Sequence, residues 1–122
     1  MKIRIKGDTI RFRLTKTEVE TLCAKGIVEE STHFGAQVFK YAVQSKKIES
    51  LEASYKEDTI LLSLSEKLIQ GWDVNETVGF ETSISVNTDS TLHLLIEKDF
   101  VCLDERIEDQ SDNYPNPKMM TE

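Results

Sequence analysis

Ile3 and Ile5 alternate with Lys2, Arg4 and Lys6. Beyond Gly7-Asp8, Ile10, Phe12 and Leu14 alternate with Arg11 and Arg13. A period of two sends successive side chains to opposite faces of a strand. Residues 2–14 therefore predict a β-hairpin with one apolar face and one face of five cations. The alternation stops at Thr15, which suits a helix N-cap, with Glu18 placed to complete a capping box. Val19, Leu22 and Cys23 then follow helical spacing, and Gly26 is a fitting stop. A helix this short needs the sheet beneath it. Residues 27–34 and 37–44 predict a second hairpin turning at Gly35-Ala36, with Phe39, Tyr41 and Val43 on one face.

Beyond Ser45-Lys46-Lys47 the pattern repeats. Leu51, Ala53 and Tyr55 alternate, Lys56-Glu57-Asp58 turns the chain, and Ile60, Leu62 and Leu64 return. Ser65 suits a second cap, and Leu68, Ile69 and Trp72 supply a buried side. Val78, Phe80, Thr82, Ile84 and Val86 form the longest alternation. Asn87-Thr88-Asp89-Ser90 is rich in turn formers, and Leu92, Leu94 and Ile96 close the set. KGDTIRFRLT at 6–15 and KEDTILLSLS at 56–65 agree at five of ten positions, and at the same offset Val28 meets Val78 and Thr32 meets Thr82. Self-similarity at a fixed period is the mark of a repeated unit. The expectation is an α+β fold, mostly antiparallel β with two short helices, duplicating a ββαββ unit over residues 1–45 and 50–100.

Length and composition suit one core within residues 1–103. The 122 residues carry a net charge of −7, unevenly spread. Residues 1–50 hold ten Lys/Arg against six Asp/Glu, whereas the remainder holds five against sixteen. Such a split fits either an anion-binding face or halves that attract one another. Residues 104–122 are acidic, polar and contain both prolines, and are expected to form an extended tail rather than part of the core. Asp109, Ser111 and Asn113 start like a calcium loop, but Tyr114 stands where glycine is required. No apolar run reaches bilayer length, and the charged start does not resemble a secretion signal. Cys23 and Cys102 stand in unrelated contexts, so free thiols and a cytoplasmic location are expected.

The opening MKIRIKGDTIRFRLTKTEVE resembles the start of a family of small uncharacterised bacterial proteins, which implies a cytoplasmic bacterial protein and supplies no functional residues. Each half is also similar in layout to the swapped-hairpin domains of transition-state regulators and antitoxins. Glu76-Thr77-Val78 and Leu92-His93-Leu94-Leu95-Ile96 carry that second resemblance. The proline that usually opens the helix there is absent, Thr15 and Ser65 standing near its place, and the two copies share one chain.

No phosphate-cradling loop, nucleophile elbow or zinc motif occurs, so no catalytic residue, metal ligand or cofactor is assigned. The expected function is a non-catalytic interaction or regulatory module, with Lys2, Arg4, Lys6, Arg11 and Arg13 as its candidate anion- or partner-binding face. Its partner is a protein or a second copy, not a membrane. The competing structural reading has the acidic tail or an acidic neighbouring strand neutralising that face. A nucleic-acid-binding regulator using the same hairpin is the alternative, opposed by the acidic net charge. An enzyme using His33, His93 or a carboxylate cluster is the remote one.

Overall fold

The computed structural model describes residues 1–100. The expected tail and Cys102 lie outside them. The order is β1 (Lys2–Lys6), β2 (Thr9–Leu14), α1 (Lys16–Lys25), β3 (Ile27–Phe34), β4 (Gln37–Lys46), β5 (Leu51–Lys56), β6 (Thr59–Ser65), α2 (Glu66–Ile69), β7 (Gly79–Asn87) and β8 (Ser90–Lys98). The fold is α+β, mostly strand with two short helices, in two four-stranded sheets. One sheet runs β1-β2-β8-β7 and the other β3-β4-β6-β5.

Both sheets are mixed. Strands are antiparallel within each hairpin and parallel where two hairpins meet, at β2–β8 and β4–β6. The expectation of mostly antiparallel sheets took no account of these two parallel seams. Alternation along a strand reports which face is buried, not the direction of the neighbour that pairs with it. Phe12, Leu14, Leu94 and Ile96 of the first sheet and Val43, Leu62 and Leu64 of the second are fully buried in one shared core.

Helices close one end of this core. Thr15 accepts from the Glu18 amide at 3.2 Å while Glu18 Oε1 accepts from the Thr15 amide at 2.8 Å, the reciprocal box that the sequence predicts. Val19 and Leu22 are buried from α1, and Gly26 ends it in the left-handed conformation at φ 85°. The second helix is only one turn long. Gly71, at φ 78°, redirects the chain, so Trp72 enters the core from a turn rather than a helix. Its indole nitrogen donates to the Thr77 carbonyl at 2.8 Å, and its ring meets Phe80 at 5.1 Å. Val78 and Val86, at the ends of the long alternation, are exposed. Only Phe80 and Ile84 of that series pack against the core. No helix among the described residues is long and apolar enough to cross a membrane.

The opposite end stays open. Between the hairpin turns lies an apolar cleft of about 460 Å³, walled by Ile5, Ile10 and Leu92 of one sheet and Phe39, Tyr55 and Ile60 of the other. One of these turns is strained. Glu57 and Asp58 both have positive φ, 52° and 56°, a conformation that costs a side-chain-bearing residue roughly 1–2 kcal/mol. Replacing the pair by Asn-Gly, the sequence such a two-residue turn prefers, is expected to raise unfolding free energy by about 1 kcal/mol. Urea denaturation measures it, and an unchanged or lower midpoint would contradict the strain.

Candidate functional site

Strand register turns the sequence-predicted cations into a grid on the solvent face of the first sheet. Lys2 lies opposite Arg13 and Arg4 opposite Arg11, while Lys6 lies opposite Thr9. Across the parallel seam, Arg13 meets Glu97, Arg11 meets Leu95 and Thr9 meets His93. On β7, Gly79, Glu81 and Ser83 complete the three rows. All five cations therefore share one face. Like charges directly opposite one another cost a few tenths to about 1 kcal/mol each, so the ladder needs neighbours of opposite sign.

The first row has them. Glu97 Oε1 lies 3.4 Å from Arg13 Nε and 3.8 Å from Arg11 Nε, and Asp99 lies 3.3 Å from Lys2 Nζ. Arg4 and Lys6 have no carboxylate in ion-pair range among the described residues. The face thus splits into a neutralised end beside Glu97 and Asp99 and a positive end at Arg4 and Lys6. Exposed pairs are worth at most about 1 kcal/mol each, so Glu97 quiets the arginines without locking them. Nothing near the hairpin in sequence identifies Glu97, because the contact spans 84 residues and depends on the parallel seam.

Glu97 also sets a steric condition on β7. A Cβ added to Gly79 would collide with the Ile96 carbonyl oxygen and come within 2.8 Å of the Glu97 Cα. Glycine inside a strand marks this kind of close backbone approach.

Beside the ladder, the Met1 amino group donates to Glu18 Oε2 at 2.6 Å and Glu30 Oε2 at 3.3 Å. Burial opposes the ammonium charge, but hydrogen bonding and attraction from the two glutamates outweigh it, and its pKa is raised. Burial would likewise raise Glu18. Hydrogen bonds from the amino terminus and the Thr15 backbone overcome that and hold it below its ordinary value. Tyr41 donates to Glu30 Oε1 at 3.0 Å, and burial together with that carboxylate pushes the phenol up.

The other sequence-predicted residues are not brought together. His33 stands exposed on β3 in the second sheet, and His93 on β8 in the first. Cys23 donates its thiol to the Ile69 carbonyl at 3.3 Å, and burial pushes its pKa up, the signature of a packed thiol rather than a nucleophile. Sequence reasoning missed the contact of His93 Nδ1 with Ser83 Oγ at 2.8 Å, which follows only from cross-strand register. On an open face, such a pair is a sheet contact worth less than about 1 kcal/mol. Among the described residues no group of three or more His, Cys, Asp or Glu is arranged to hold a metal ion.

Residues 1–118 match a family of unknown function, DUF7009, and the chain belongs to it. No curated protein and no solved structure matches the chain.

Two outcomes test this geometry. The raised Met1 amine contributes stability that is complete below its unfolded pKa near 8 and lost as pH rises through the higher folded value. The depressed Glu18 carboxyl contributes stability that is complete above its unfolded pKa near 4.3 and lost as pH falls through the lower folded value. Glu18→Gln keeps a capping side chain but removes the charge. It should lower stability by about 1 kcal/mol or less on the plateau between those limits and flatten both flanks. An unchanged pH–stability curve would dismiss the pair. Gly79→Ala should cost about 1–3 kcal/mol in urea denaturation as β7 is forced from β8, and a neutral effect would show that the two backbones part easily.

Proposed function

We propose that this protein is a non-catalytic interaction module of the bacterial cytoplasm, built from two fused ββαββ units over residues 1–45 and 50–100. The single observation that carries its binding role is the unequal neutralisation of the cationic face. Glu97 and Asp99 attend Lys2, Arg11 and Arg13, while Arg4 and Lys6 face outward at the edge strand. That gradient suits an acidic protein segment laid against β1, with Arg4, Lys6 and Arg11 as its contacts. The duplicated architecture has support of its own. Renaming β1, β2, β3 and β4 as β5, β6, β7 and β8, and the reverse, converts one sheet order into the other. Ile10 opposite Leu94 corresponds to Ile60 opposite Tyr41. Register also corrects one sequence coincidence: Val28 faces Val43 and Phe80 faces Ile96, so the counterpart of Val28 is Phe80 and not Val78. Each sheet takes one hairpin from each half, which favours the swapped-hairpin likeness. The protonated, hydrogen-bonded thiol of Cys23 suits a reducing compartment.

The same edge carries the second reading, a nucleic-acid contact, since β-ribbons do meet phosphate backbones. The overall acidity works against it. Fluorescence anisotropy of the full chain with a labelled poly-glutamate peptide, duplex DNA and RNA, at low and near-physiological salt, separates the two. The acidic peptide should bind in a salt-sensitive manner, at least tenfold more weakly with Arg4→Glu plus Lys6→Glu, and more tightly with Glu97→Gln. Preference for DNA or RNA with the same dependence on Arg4 and Lys6 would establish the nucleic-acid reading. Absence of binding to all three at low salt would leave the ladder purely structural.

A further inference from the structure

The open end of the molecule presents more apolar surface than its core requires. Ile5, Phe34, Tyr55 and Val86 are 55, 67, 67 and 52% exposed, and each lies on the first strand of a different hairpin, at or next to its turn. On β1, β3, β5 and β7 they share the inward-facing parity of Ile3, Val28, Ala53 and Phe80, which pack against the core. They therefore crown the gap between the sheets.

These four residues fall into two matched pairs when the halves are exchanged through strand register. Ile5 corresponds to Tyr55, Phe34 to Val86, and within the cleft Ile10 corresponds to Ile60 and Leu92 to Phe39. Between residues 6–15 and 56–65 half the positions differ, yet every one of these pairs is apolar on both sides. Nothing in the core demands that for the exposed members.

We propose that this open end is a self-association face, on which a second copy of the chain sits end to end about the axis that relates the two halves. The inference rests on the duplicated architecture proposed above. A small apolar molecule could fill the cleft, but Phe34 and Val86 are not among its walls and would stay uncovered. A protein surface is needed to bury all four. Aromatic side chains offer about 200 Å² each, so the four together show on the order of 400 Å², the size of the largest apolar patch on an ordinary monomer. That is about half of what one partner gives to a standard interface, and the turns and cleft walls supply the rest. A face with its own two-fold character is self-complementary under a two-fold operation. The charge pattern agrees. Lys6 and Asp8 on one rim turn match Lys56 and Asp58 on another, so the rim carries both signs and a copy can set lysine against aspartate.

Sedimentation velocity of the full chain tests this, from roughly 1 µM to a few hundred µM, at low and high salt. The expected result is a monomer–dimer equilibrium that strengthens with salt, because each chain carries −7 and the contact is apolar. Phe34→Lys with Tyr55→Lys, both at exposed positions and checked for folding by circular dichroism, should weaken it at least tenfold. Val74→Lys, at a site 83% exposed in the loop after α2, should leave it unchanged. A monomer at every concentration overturns the inference, as does equal weakening by Val74→Lys. Saturable one-to-one binding of anilinonaphthalene sulfonate by a chain that never dimerises also overturns it, in favour of a small apolar ligand. The cationic ladder faces the other side of its sheet, so these failures leave the anisotropy result untouched.

Discussion

Everything in this fold depends on the two parallel seams. A two-stranded hairpin is marginal in water, and none of the four here has a partner within its own half. β2 finds β8 and β6 finds β4, so each sheet exists only when both halves contribute. The buried faces of Phe12, Leu62, Leu94 and Ile96 then meet in one core, and the helices close the end where the chain passes between sheets. Neither half is a folding unit in its own right. The division visible in the sequence is one of pattern, and the division in space runs across it.

That difference explains what the sequence disclosed. Local chemistry was legible wherever a few consecutive residues decide the outcome. Thr15 and Glu18 cap α1, Gly26 ends it, and the turns at Gly7-Asp8, Gly35-Ala36 and Glu57-Asp58 fall between strands as the alternation requires. Burial followed the alternation through most of the chain. It failed at Val78 and Val86, because period two shows which face a residue takes, not how far the opposing sheet extends. The length of α2 was also misjudged, since Trp72 reaches the core through a turn at Gly71.

The candidate face shows the same limit. Hydropathy placed Lys2, Arg4, Lys6, Arg11 and Arg13 together, since hairpin geometry is local. It could not select which of many carboxylates answers them. Glu97 does so only because a parallel strand arriving from the far end of the chain sets it beside Arg13. The Ser83–His93 contact is hidden for a related reason, as both residues read as ordinary outward positions until register pairs them.

The seams also order events during synthesis. The second sheet is complete in sequence once Ser65 has been made, so β3 to β6 can assemble while the ribosome is still extending the chain. The first sheet cannot. β1 and β2 are made first and must wait, with the inner edge of β2 unpaired, until β8 emerges more than eighty residues later. Late closure of distant strands is slow, and a waiting strand edge invites the wrong neighbour. The cations spaced along this hairpin therefore have a second use during translation: they discourage nascent copies from pairing edge to edge before Glu97 arrives to neutralise them.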